Sequence, residues 1–179
     1  NKLINLIDIP YDQNKPFEKI SRKSNKYINN SFDIAFKIIN SGYSNKFING
    51  PISKKNYLKD RYLGITEYLS KKYYIKSSSM LIYNKKLSVC PITTHLPLKN
   101  VAKNINKKII VDQICLIDKF YKKKIGFKPK IAVLGLNPHC ESTDKYNEDE
   151  KIIKPSIKYL VGLGYNVSGP YSADTIFLK

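Results

Sequence analysis

Arginine, histidine, cysteine pairs and long apolar runs are all scarce in this chain, and each scarcity closes off a class of function. Of 32 basic residues only Arg22 and Arg61 are arginine; the rest are lysine. Base-edge reading and bidentate phosphate recognition favour the arginine fork, whereas lysine is the ordinary solvated surface cation. The net charge of +18 therefore does not by itself imply a nucleic-acid partner, and none is expected. The lysines are spread among abundant Asn, Ile and Tyr, a mixture that matches the codon bias of an AT-rich genome. A lysine-rich polyanion-binding module without chemistry is the alternative, and an acidic substrate drawn in by the charge fits both. No apolar run approaches the roughly 18–20 residues of a membrane span. Asn1-Lys2-Leu3-Ile4 has none of the regions of a signal peptide and does not start with Met, so the expectation is a cytoplasmic chain that has lost residues upstream. The motifs GxGxxG, HExxH and CxxC are absent. Cys90, Cys115 and Cys140 form an odd set that reads as reduced, mostly buried thiols, with a ligand role as the alternative for Cys140 because it follows a histidine.

What is present is an α/β pattern. With 179 residues, 42% hydrophobic and 12% aromatic, the chain can build one good core, or one domain and part of another. Residues 1–30 are polar and unassigned; residues 31–179 alternate short apolar strands with longer periodic helices. Ser31 is expected to cap a helix to about Ile39, ended by Ser41-Gly42. A short strand at Lys46–Asn49 and helices over Ser53–Asp60 and Thr66–Lys72 follow. Met80–Tyr83 and Leu87–Ile92 read as strands around Asn84-Lys85-Lys86. Leu98–Ile105 reads as a short helix and Lys108–Lys124 as a long one, with an apolar face of Ile109, Val111, Ile114, Cys115, Ile117 and Phe120. Lys130–Leu136 is almost wholly apolar, as in a strand covered on both faces. A helix from about Asn147 to Leu163 contains Pro155, which predicts a kink or a late start. Tyr165–Ser168 is the last strand.

The two histidines, His95 and His139, both follow a predicted strand and sit beside a proline. In open α/β sheets, ligands collect beyond the carboxyl ends of strands. Two imidazoles from separate strand ends can form part of an open, three-ligand catalytic metal site. On spacing alone the metal signal is weak, and a loop histidine is more often a hydrogen-bonded turn residue.

The surrounding segments add to this. Thr93-Thr94-His95-Leu96-Pro97-Leu98 and Gly135-Leu136-Asn137-Pro138-His139 resemble the two metal-binding segments of the 4-hydroxythreonine-4-phosphate dehydrogenase (PdxA) family of vitamin B6 synthesis. In the same order, Asn49-Gly50-Pro51-Ile52-Ser53-Lys54 resembles that family's strand-to-helix turn. Gly64-Ile65-Thr66-Glu67-Tyr68-Leu69 resembles its substrate-binding segment, and Gly169-Pro170-Tyr171-Ser172-Ala173-Asp174-Thr175-Ile176-Phe177 its Gly-Pro-x-x-Ala-Asp-Thr-x-Phe segment.

This resemblance, over about residues 31–179, implies a three-layer α/β/α fold like the isocitrate and isopropylmalate dehydrogenases, with two domains around a central cleft. It implies a homodimer whose active site is shared between subunits, a small phosphorylated substrate, a divalent metal (zinc, magnesium or cobalt) and NAD or NADP. The implied reaction oxidises 4-phosphooxy-L-threonine to a β-keto acid that decarboxylates to 3-amino-2-oxopropyl phosphate, in pyridoxal phosphate biosynthesis. His95 and His139 carry over as two metal ligands, and Thr66 and Asp174 as substrate contacts. A helix cap is the alternative for Thr66, turn hydrogen bonding for Asn137 and Asp174, and a solvated helix start for Lys54.

Three departures bear on the match. Ile65 stands where the family has histidine, which leaves room for a relative that oxidises another hydroxy acid or a diol. Cys140-Glu141-Ser142-Thr143-Asp144 is bulkier and more acidic than the family's glycine-rich loop. The third metal histidine, the phosphate-binding residues and most dinucleotide contacts of the family lie past the position of Lys179, so the chain is expected to be a fragment.

Overall fold

The computed structural model describes residues 3–59, 61–142 and 146–178. The chain divides into two compact units, Asn1–Tyr73 and Tyr74–Lys179. Asp60, at the far end of an expected helix, Thr143 and Asp144 of the expected acidic loop, and Lys179 lie outside the described residues.

The first unit is organised by helix α1, Asn25–Asn40. Its apolar stripe steps by four residues through Ile28, Phe32 and Phe36, which places these side chains on one face. The helix starts six residues before Ser31, the expected cap. Ser31 lies inside it and donates its hydroxyl to the Tyr27 carbonyl at 2.8 Å. The stripe extends N-terminal to the serine, and packing of that stripe outweighs the local preference of serine for a helix end. Ser41 closes the helix as expected, with Gly42 in the left-handed region at φ 79°.

Phe32 is 3% exposed and meets the rings of Phe47, Tyr57 and Tyr68, with centroids 5.8, 6.2 and 6.0 Å away. Phe36 stacks on Tyr73. Lys46–Asn49 is no strand; Phe47 is used instead as an edge for Phe32 and Phe36. Helix α2 spans Lys54–Tyr57 and α3 spans Ile65–Lys72. A polar network ties them to α1. Asn29 Oδ1 accepts from the hydroxyls of Tyr57 (2.8 Å) and Tyr68 (2.9 Å), while Asp33 takes Lys72 and Tyr73, each at 2.8 Å.

The second unit holds the sheet. Strand β1, Ile131–Leu134, pairs in parallel with β2, Val167–Tyr171, and the chain between them contains helix α6, Lys154–Gly162. Pro155 falls in the first turn of α6, after a wider π-type turn at Asp149–Ile153, so the expected late start is what occurs. Helix α4, Val101–Asn104, continues a 3-10 turn at Leu98–Asn100, and helix α5 covers Lys107–Phe120. Asn106 caps α5 by accepting from Ile109 N.

The core joins Ile110 and Ile114 of α5 to Ile153, Ile157 and Leu160 beside Val167, with Leu160 fully buried. The buried line on α5 is Ile110, Ile114 and Asp118, whereas Phe120 is 40% exposed, so the face is rotated from the expected one. β1 alternates: Ile131 and Val133 pack on the core, and Ala132 and Leu134 are exposed. Cover on both faces is thus not found among the described residues. Met80–Tyr83 and Leu87–Ile92 form one antiparallel bridge, Ile82 with Val89, and no longer ladder. A lone hairpin without a third strand has little to stabilise further pairing. The register of β1 and β2 slips at Gly169-Pro170, where β2 carries one residue more than β1. No helix among the described residues is long and apolar enough to cross a membrane.

Candidate active site

β1 leads straight into the turn that carries His139. Gly135 N donates to Tyr171 O at 2.9 Å, which holds the start of the turn to the sheet. Gly135 has no room for a side chain: a Cβ there would lie 2.6 Å from Cys140 Sγ and 2.9 Å from Asp149 Oδ1. The turn then curls around the Asp149 carboxylate, which is fully buried. Leu136 N donates to Oδ1 at 2.8 Å, Asn137 N to Oδ2 at 3.0 Å and Asn137 Nδ2 to Oδ2 at 3.0 Å. Asn147 accepts from the backbone N–H of Asp149 at 2.9 Å, anchoring the carboxylate's own segment.

Beyond Asn137 the chain makes a 3-10 turn, Pro138–Cys140. His139 sits at φ 55° and Cys140 at φ 63°, both left-handed. A non-glycine residue there is uncommon and carries a conformational cost. His139 is exposed on the outside of this turn, and Cys140 is half-buried beneath it. Burial, followed by the nearby Asp149 charge, pushes the Cys140 thiol upward, so it stays protonated near neutral pH.

The segment before His95 reaches the same region. Pro91, Ile92 and Thr93 line an apolar groove of about 220 Å³ together with Val133, Gly135 and Leu136. His95 follows on the exposed side, also left-handed, at φ 58°. Asp174 enters from the end of β2. Its carboxyl is held below the usual carboxylate range, first by the Ser172 hydroxyl that donates to it and, more weakly, by the charge of His139.

The structure therefore sets the segments that lead into both histidines on one groove. Thr66 belongs to the first unit, exposed as the second residue of α3. The cap of that helix is Gly64, so a capping role for Thr66 is not what is found. Asn137 takes its turn role, and Lys54 is an exposed helix start. Among the described residues no three His, Cys, Asp or Glu side chains gather into a metal-holding group. Asp149 was not singled out from the sequence. The only sign of it was an acidic run after Asn147, which is common at helix starts and points to no partner.

Comparison with known proteins gives these segments a context. The model of the family described as pyridoxal phosphate biosynthetic protein PdxA matches residues 1–179. A 4-hydroxythreonine-4-phosphate dehydrogenase from Sulfurihydrogenibium sp. (strain YO3AOP1) is 37% identical over 98% of this chain and 54% of its own length. Another from Neisseria meningitidis serogroup A is 33% identical over 97% of this chain and 55% of its own. The crystal structure of 4-hydroxythreonine-4-phosphate dehydrogenase from Klebsiella pneumoniae superposes with a TM-score of 0.83 at 27% identity, covering 98% of this chain and 55% of that one. The chain thus spans about half the length of the curated relatives it matches. On the whole-chain match and these alignments, the chain belongs to the family of the pyridoxal phosphate biosynthetic protein PdxA.

Proposed function

We propose that this chain contributes the metal-binding face of a 4-hydroxythreonine-4-phosphate dehydrogenase, an NAD(P)-linked oxidoreductase of vitamin B6 biosynthesis. In this reading 4-phosphooxy-L-threonine is oxidised at its secondary alcohol to a β-keto acid, which loses carbon dioxide to give 3-amino-2-oxopropyl phosphate. The observation that carries it is the pair of exposed histidines in left-handed turns, each reached from a segment that lines one groove, in a chain matched throughout by the family model.

Two neutral imidazoles are donors that suit zinc or cobalt better than magnesium, which prefers oxygen ligands. His95 and His139 would hold the metal as two members of a ligand set shared between the subunits of a homodimer. A divalent metal bound there supplies Lewis acidity at the substrate hydroxyl. The contribution of the chain is to carry the two imidazoles on left-handed turns that follow groove-lining segments. Thr66 offers a hydroxyl to the substrate, and the excess of lysine draws a phosphorylated molecule toward the protein. NAD or NADP is the hydride acceptor this oxidation requires, and no residue here is assigned to it. The proposed architecture is the two-domain, three-layer fold around a cleft, in the cytoplasm.

A second reading has a specific observation behind it. A D-threonate 4-phosphate dehydrogenase from Pectobacterium atrosepticum is 34% identical over 66% of this chain. Ile65, apolar and half-buried at the start of α3, offers no polar contact to a substrate. The two readings separate in one assay. The protein carrying this chain is given NAD or NADP, zinc or cobalt, and either 4-hydroxythreonine 4-phosphate or D-threonate 4-phosphate. Turnover of the first with loss in His139→Asn supports the leading reading. Turnover of the first in a fully metal-stripped protein would refute the metal-dependent mechanism.

A further inference from the structure

We infer that Asp149 is a positioning residue: its buried carboxylate is the post around which the His139 turn is formed, and it fixes where that imidazole points. The inference rests on the proposed role of His139 for its functional meaning, but the geometry stands apart from it. Both carboxylate oxygens are used. Oδ1 accepts from Leu136 N, and Oδ2 from the backbone and side-chain amides of Asn137. These donors belong to the residues that immediately precede Pro138-His139. The carboxylate is fully buried, and the Gly135 Cα lies so close beneath it that a Cβ would stand 2.9 Å from Oδ1.

The arrangement solves a backbone problem. The turn leaves the end of β1, so the N–H groups of Leu136 and Asn137 have no strand partner, and an unpaired buried amide is costly. One two-oxygen acceptor satisfies both. It also supports two successive left-handed residues, His139 and Cys140, whose conformation persists only where surrounding contacts over-determine it. A neutral amide in place of the carboxylate cannot do this, because its NH2 would face at least one N–H donor. Groups that orient a metal-binding imidazole from behind commonly change metal affinity by 10- to 100-fold when removed.

The test reads the two imidazoles directly. In a ¹H–¹³C spectrum of the protein carrying this chain, the signals of His95 and His139 are identified by their loss in His95→Asn and His139→Asn. Asp149→Asn is expected to move or broaden the His139 signals while those of His95 stay, and to weaken cobalt(II) binding by tenfold or more in a titration. Ser156→Ala serves as control: Ser156, in the adjoining helix α6, is equally buried and donates to Ile152 O. It should lower the melting temperature without moving the His139 signals. Asp149→Asn leaving the His139 signals in place, or Ser156→Ala moving them equally, would overturn the inference. A wild-type protein that takes up no cobalt refutes the metal reading alone, since the spectrum still decides the role of Asp149. If Asp149→Asn does not fold, amide exchange of the wild type decides: Leu136 and Asn137 should be protected like core amides, and free exchange there sinks the proposal.

Discussion

Gly169 lies directly against the carbonyl of Val133: a Cβ on Gly169 would stand 2.3 Å from that oxygen. Its φ of 129° is a further barrier to any side chain. Neither contact can be relieved by rotating a side chain, because the obstacle is backbone of the paired strand. Gly169→Ala should therefore destabilise the second unit by about 3 kcal/mol or more, in the range of strain and overpacking combined. A urea unfolding series read by circular dichroism would show it, and a change under about 1 kcal/mol would contradict this account of the bulge.

Leu160 is fully buried between α5 and the sheet. Leu160→Ala is expected to cost about 2–5 kcal/mol, because the transfer free energy and the cavity both count. Leu160→Met, similar in volume, should cost under about 1.5 kcal/mol. Equal losses in the two variants would mean that the position is not a packed core site.

The first unit should lose stability at both extremes of pH, through one cluster. The Lys72 ammonium, and then the Tyr73 hydroxyl, hold the Asp33 carboxyl below its ordinary value. Stability from that pair is present above the ordinary carboxylate range and is lost as pH falls through the lowered value. At the alkaline end, burial and then the Asp33 hydrogen bond raise Tyr73 from 10.0 to about 12. Burial, with the Tyr68 hydroxyl next, also pushes Tyr57 far upward. These contributions are complete below pH 10 and decline as pH rises toward 12, since the unfolded tyrosines ionise first. Thermal melts across pH should show both declines. Tyr73→Phe, which keeps the stack on Phe36, should reduce the alkaline one.

His139 and His95 adopt left-handed backbone that costs about 1 kcal/mol or more for residues with a Cβ. Glycine has no such cost, so His139→Gly should be more stable than His139→Ala by about 1 kcal/mol, and His95→Gly likewise. Paired melts check this. If alanine and glycine are equivalent at both sites, the histidines do not hold the turns in this conformation.

Local signals in the sequence reached some of this and stopped at identifiable points. The ends of α1 and α3, the Pro155 start of α6 and the exit of β1 into the His139 turn were legible, because caps, proline and apolar spacing act over a few residues. The start of α1 is not legible locally, because Ser31 looks like a cap and only the packing of Phe32 shows that it is interior. The buried line on α5 was displaced because Ile109, Ile110 and Val111 are all apolar, so that spacing alone leaves the face ambiguous. The strand expected at Lys46–Asn49 failed since Phe47 satisfies its hydrophobicity against rings. At the candidate site, the histidines were visible through their flanking segments. Asp149 was not, because its partners are backbone amides, and those leave no trace in side-chain identity.

The parallel pairing of β1 with β2 has a consequence for local opening. The two strands and α6 share one stretch of chain that carries the buried Ile153, Ile157, Leu160 and Val167, whereas Ile82 and Val89 are exposed. Segments with more buried apolar contacts cost more to open. Such a stretch behaves as one cooperative foldon and exchanges its amides last. The His139 turn lies inside it. It should stay assembled in mild denaturant after the solitary Ile82–Val89 bridge has frayed.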